Sequence, residues 1–269
     1  MAEEQQSEAE LPPLKIDETE RIIARLEQVV RDRRVVLVGG QAVAIWASKL
    51  EGLIADALVE AVASRDIDLL GNSSDLRQSA ELLDAHVRVA KWEDRTPLTG
   101  VAIFLDSEGH ERRLDVMASV YGMNAEDIRQ TAIEAELVID ENRQVNVWIM
   151  HPERCMESRV HNSVLANKQT DLAWRQLRAS ILCARAFSQL LLDERGEAAV
   201  RDVLKLNERI FRFAQEDRCA KLATERGIEA FDAVLDDERL PEKFTTFRLP
   251  QMQGRIQTLR QLQRKRYTK

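Results

Sequence analysis

The sequence predicts an α/β (α+β) protein: a mixed sheet flanked by helices over the first 150 or so residues, followed by a helical C-terminal domain. Three observations carry this expectation. Short β-rich runs alternate with helical periodicity up to Ile149. From Pro152 onward the apolar spacing is helical throughout. The chain has 269 residues with 44% hydrophobic and 32% charged side chains, which suits a globular protein with a real core.

The elements come in this order. Residues 1–15 read as a disordered acidic tail ending at Pro12-Pro13. A helix is expected over 17–32, where Ile22, Ile23, Leu26, Val29 and Val30 share one face. Residues 35–38 form a short buried strand stopped by Gly39-Gly40, and 41–50 a helix with Ala44, Ile45 and Ala47 inward. Residues 51–63 match neither period. Residues 66–70 are a strand closed by Gly71-Asn72, and Ser73 or Ser74 caps the next helix. Strands are expected at 87–90, 101–105 and 113–117, the last two pairing around the turn Asp106-Ser107-Glu108-Gly109. A second hairpin joins 137–139 to 145–149 around Asp140-Glu141-Asn142. Helices then occupy 152–166, 170–193, 197–221 and 225–235; Pro241 and Pro250 interrupt, and a last helix begins at about 254. The change of period places a domain boundary near 150, giving domains 16–150 and 151–269.

Composition narrows the function. No apolar run approaches the roughly 20 residues of a membrane span, and the N-terminus lacks the apolar stretch of a signal peptide. Cys155, Cys183 and Cys219 fit neither a disulfide framework nor a zinc spacing, so a cytoplasmic protein without membrane contact is expected. Aromatic residues make up 5%, which argues against base stacking as the main binding mode. The net charge of −7 argues against nonspecific DNA coating. It is unevenly spread: no acid follows Glu242, while Lys243, Arg248, Arg255, Arg260, Arg264, Lys265, Arg266 and Lys269 do. That end reads either as a phosphate-binding arm or as a solvated helix face.

The chemistry gathers in the first half. In a strand, residues two apart point to one face, so Asp66 and Asp68 aim together while Ile67 packs behind them. Adjacent carboxylates repel unless a cation joins them. Magnesium suits such a site, because it takes oxygen ligands and bridges carboxylates to phosphates. Asp115 stands inside the apolar run Leu114-Asp115-Val116-Met117. If that strand lies beside the Asp66 strand, Asp115 completes a three-carboxylate site and accepts the proton of an attacking hydroxyl. Otherwise Asp115 is an ion-pair partner of Arg112 or Arg113. Strand, Gly39-Gly40, helix presents backbone N–H groups at a helix N-terminus, which is an anion site. No GxxxxGK[ST] motif is present.

Residues 37–43 (LVGGQAV), 64–69 (SRDIDL) and 114–116 (LDV) together resemble the DNA-polymerase-beta-type nucleotidyltransferase superfamily. Within it the chain is most similar to the bacterial abortive-infection nucleotidyltransferase toxins. The resemblance covers residues 34–118; beyond 150 it is architectural only. It implies a mixed sheet, two magnesium ions, and transfer of a nucleoside monophosphate from an NTP, in the toxin branch to RNA such as a tRNA 3′ end. An antitoxin protein partner is implied with that branch. Gln41 departs from the pattern, since many members carry Ser or Thr after the glycines; its amide or Ser64 is expected to replace that hydroxyl. The resemblance also implies a triphosphate-facing lysine on a C-terminal helix, for which Lys168 is the best-placed residue, with Arg159, Arg175, Arg178 and Arg185 as others. Trp46 and Trp174 read as packing residues, and His151 and His161 as structural. The expected function is therefore magnesium-dependent nucleotidyl transfer. The alternatives are an inactive nucleotide- or RNA-binding module, or transfer to a small molecule or protein.

Overall fold

The computed structural model describes residues 12–54, 63–94, 96–164 and 170–267. It opens with an amphipathic helix α1 (Ile16–Arg25) that buries Thr19, Ile22, Ile23 and Ala24, followed by a single turn α2 (Glu27–Val30). The one helix expected here is broken at Leu26, whose N–H reaches both Ile22 O and Ile23 O in a tightened turn. Strand β1 (Val36–Val38) is buried along its whole length and runs straight into α3 (Gly39–Lys49). Strand β2 (Ile67–Leu70) leads to α4 (Ser73–Leu83), whose cap is Asn72: its side chain accepts from Ser74 N and Asp75 N, while the Asp75 carboxylate accepts from Asn72 N. Strands β3 (His86–Val89), β4 (Leu98–Leu105) and β5 (Glu111–Met117) form an antiparallel meander. Helix α5 (Ala125–Thr131) lies where the sequence pattern predicts no element; it buries only Ile128 and so leaves no periodic signal. Strands β6 (Ile133–Asp140) and β7 (Arg143–Ile149) make the second hairpin, its turn held by Asn142 N donating to Asp140 Oδ1.

The seven strands form one mixed sheet in the order β3-β4-β5-β2-β1-β7-β6. β1 is antiparallel to β2 and parallel to β7, and β2 is parallel to β5. Register sets the neighbours across the sheet: Val38 lies beside Asp68, Asp68 beside Asp115, and Asp115 beside Val101. Because Gly39 comes directly after Val38, the glycine turn and both aspartates meet in one row across neighbouring strands.

The helical part comprises α6 (Pro152–Val164), α7 (Asp171–Arg195), α8 (Val200–Ala214), α9 (Asp217–Arg226) and α10 (Leu249–Tyr267). Three expectations are corrected. The helix expected over 197–221 is divided at Gln215-Glu216 into α8 and α9. The segment 225–235 is no α-helix: Gly227 closes α9 in the left-handed region at φ +63°, and a 3₁₀ turn (Ala230–Ala233) comes next. Pro250 interrupts nothing: the chain is already helical from residue 242 and passes through a π-helical segment (Phe244–Arg248) straight into α10.

Two apolar cores result. One lies against the sheet and includes Ala179, Cys183, Ala186 and Phe187 of α7; the other joins the C-terminal helices. The Trp46 ring packs edge-on to Phe187 at 5.5 Å, and its indole N–H donates to Met150 O at 2.8 Å. Residues 12–15, read from sequence as the end of a loose tail, are held: Leu14 is buried and its N–H bonds Ser64 O at 2.9 Å, while Pro12 O accepts from Arg112 at 2.6 Å. Residues 1–11 lie outside the described residues.

Candidate functional site

Hydrophobic packing on one side of β2 sets the site. Ile67 and Leu69 are fully buried behind the sheet, so Asp68 must face the other way. Parallel pairing with β5 brings Asp115 alongside it, with Leu114 and Val116 likewise buried behind. Asp66 lies one residue before β2, in the bend that enters the strand and not in the strand itself. Asp66, Asp68 and Asp115 all line one cavity of about 730 Å³, together with Gly39, Gly40 and Ser64. This is a volume typical of small-molecule sites.

Gly39 is required by geometry. Its φ is +70°, and a Cβ there would lie 1.8 Å from Asp68 Oδ2. The carboxylate therefore rests against bare main chain at the start of α3. A Cβ on Gly40 would meet Gln176 Nε2 at 2.6 Å and Ser64 Oγ at 2.8 Å, so both glycines let polar side chains close on the turn.

The carboxylates do not stand alone. Arg113 approaches Asp115 Oδ1 at 3.4 Å, the ion-pair alternative raised by the sequence; Arg112 instead turns to Asp106 at 2.7 Å. Arg159 on α6 lines the cavity and donates from Nη1 to Gln176 Oε1 at 2.9 Å. Its Nε has no hydrogen-bond partner among the described residues. Burial pulls this guanidinium below its ordinary range, and the field of Asp68 opposes that shift. Ser158 and Asn162 of α6 and Thr170, Leu172, Ala173 and Gln176 around the start of α7 complete the far wall.

Among the described residues, no three His, Cys, Asp or Glu side chains are gathered into a metal cage. The three acids line one cavity without forming a closed three-ligand set. The donor chemistry still fits magnesium, which is commonly held by one or two carboxylates with substrate phosphate supplying further oxygens.

The other sequence candidates fall at these places. Gln41 is fully buried and is not part of the cavity wall; its Nε2 donates to Ser64 O at 3.0 Å, while its Oε1 has no partner among the described residues. It thus holds the Ser64 segment, and Ser64 itself reaches the cavity. Lys168 lies outside the described residues. Arg175 and Arg178 line a different groove, on the opposite face of α7. His151 and His161 are packed side chains, His161 Nδ1 lying 3.3 Å from Tyr121 O. Gln176 is a cavity residue that sequence reasoning misses: an amide in a helical run gives no signal until α6 and α7 are seen side by side.

No protein-family model matches the chain, and no match was found among curated proteins. Among solved structures, the chain is similar to an antigenic nucleotidyltransferase-like protein from Paracoccidioides brasiliensis, with a TM-score of 0.41 and 15% sequence identity over 72% of this chain and 94% of that one. The side chains of this chain, and not that likeness, carry the functional reading. No helix among the described residues is long and apolar enough to cross a membrane.

Proposed function

We propose that the chain is a magnesium-dependent nucleotidyltransferase, moving a nucleoside monophosphate from an NTP to an acceptor. One observation carries this reading: Asp68 and Asp115 lie side by side on parallel strands, against a glycine turn too tight for any side chain. Bound magnesium would polarise the α-phosphate and offset charge on the departing pyrophosphate. Asp66 and Asp68 would hold the metal. Asp115 would share in that and take the proton of the attacking hydroxyl. The Gly39-Gly40 main chain and the N-terminus of α3 would receive phosphate oxygens, with Ser64 supplying the hydroxyl that Gln41 lacks. Arg159, enclosed and facing the same cavity, would neutralise the triphosphate, the role the resemblance gave to Lys168. RNA is the proposed acceptor, on the strength of the toxin-like motifs and of the basic C-terminal segment, of which Arg248 and Arg260 are already paired with Glu208 and Glu229; an antitoxin partner belongs to the same reading.

The test is transfer of label from each α-labelled NTP, with magnesium, to total RNA, a protein extract or an aminoglycoside. Asp68→Asn and Asp115→Asn should each lower transfer by about 10²–10⁴-fold while the protein still melts cooperatively. Undiminished transfer by either purified variant removes that residue from the chemistry. Saturable NTP binding without transfer to any acceptor would favour a binding module.

A further inference from the structure

We infer that a groove on the outer face of α7 binds single-stranded nucleic acid next to the proposed transfer site; its purpose rests on that reading, though its chemistry does not. Leu172, Ala173 and Gln176 of α7 look into the catalytic cavity. At 3.6 residues per turn, Asp171, Trp174, Arg175 and Arg178 fall on the opposite face. There, with Arg226 and Ile228, they line a second groove of about 350 Å³. One helix thus forms a wall of both.

The lining is specific in kind. The Arg226 guanidinium carbon lies 4.8 Å from the centroid of the Trp174 ring, a stacked cation–π pair. Arg175 and Arg178 are exposed and three residues apart, so their side chains rise together from one face. Asp171 is the single acid of the lining among the described residues, in the first turn of α7 where it complements the helix dipole. Three guanidiniums against one carboxylate make the groove cationic. Its flat guanidinium–indole pile offers a surface on which an unpaired base can stack, while the other arginines take phosphates. An acidic peptide would satisfy the arginines but leave the stack unused. A lipid surface would need an apolar wedge, and the apolar side chain beside Trp174 here is the buried Ile228. The sequence pattern assigns Trp174 to packing; it is half-buried against the helical core and also bears the cation.

The experiment is fluorescence anisotropy of the full chain with a labelled oligouridine, a duplex RNA of equal length, and polyglutamate as competitor, across 50–200 mM KCl (a range of order that used for such slopes). Wild type should bind the single strand in preference to the duplex and resist polyglutamate at matched charge. The exposed pair Arg175→Gln/Arg178→Gln should weaken binding roughly tenfold or more and lower the salt slope by about 1.4, or 0.7 per lost phosphate contact. Trp174→Phe should keep binding and Trp174→Ala lose it, with thermal melts run on each. An unchanged affinity and slope in the arginine pair, equal displacement by polyglutamate, or a preference for duplex would overturn the inference. The two readings separate cleanly. If Asp68→Asn abolishes transfer while oligouridine binding persists, both stand. If wild type transfers nothing yet loses oligouridine with the arginine pair, the groove stands and the catalytic reading falls.

Discussion

A methyl group on Gly39 would enter the Asp68 carboxylate at 1.8 Å from a backbone already in the left-handed region. Gly39→Ala should therefore cost about 1–3 kcal/mol of stability and displace Asp68 from its row. Gly254 gives the opposite sign. It lies within α10 with no heavy atom within 4 Å of an added Cβ, so Gly254→Ala should stabilise by about 0.5–1 kcal/mol. Urea unfolding of the two variants checks both; equal effects would mean that the contact at Gly39 does not exist in solution. At this scale much of the candidate site was legible. Gly39, Gly40, Asp66, Asp68 and Asp115 stood out because each contradicts its surroundings, as bare main chain after an apolar strand or as acids among apolar neighbours. Gln176 did not, and Arg159 was one arginine among several, since a charged or polar residue in a helix is ordinary until the opposite wall is known.

The start of α6 concentrates buried charge. Glu153 is buried beside His151, and Arg209 of α8 meets its Oε2 at 2.6 Å. Burial raises the Glu153 carboxyl to about 7, with Arg209 opposing and Glu157 assisting. Burial lowers the His151 imidazole to about 3, helped by Arg209 and Arg154. The two act with opposite sign. The folded state holds an extra proton on Glu153 between its ordinary 4.5 and about 7, so stability from that group falls as pH rises through this window. It lacks a proton on His151 between about 3 and the ordinary 6.5, so stability from that group rises with pH there. From pH 4.5 to 6.5 the slopes cancel. Glu153→Gln removes the opposing contribution, so stability should climb with pH between 4.5 and 6.5 more steeply than in the wild type, by up to about 1.4 kcal/mol per pH unit. Denaturant midpoints measured from pH 4 to 8 check this, and a wild-type-like profile in the variant would sink it. The elements themselves were legible where periodicity is strong, as in β1, β2, β5 and α7. The division of 197–221 and the 3₁₀ turn after Gly227 were not, because an apolar period continues across a break that backbone geometry imposes.

Over the whole molecule, the sheet and the helices are joined by α7. Its residues Ala179, Cys183, Ala186 and Phe187 belong to the core of the sheet, while Leu177, Ile181 and Ala184 belong to the helical core. Calorimetry should thus find one cooperative unfolding transition, with calorimetric and van't Hoff enthalpies equal. A fragment ending at Met150 should fail to fold, because Trp46 and the sheet face would lose Phe187. Two resolved transitions, or a soluble folded fragment, would disprove this coupling. Sequence period marked the change of architecture near residue 150, but which faces of α7 meet which core is a property of packing alone.

The chain is acidic overall at −7, yet its cavity carries a cation of its own, the enclosed Arg159 within the field of Asp68. A chamber that supplies its own counter-charge has little appetite for naked Mg²⁺. Under the proposed reaction the metal should arrive escorted, already chelated by the triphosphate, whose charge the Arg159 guanidinium would then meet. Calorimetric titration with MgCl₂ alone should be silent and the same titration with NTP present should not. Strong heat from the bare salt would reverse that order of arrival.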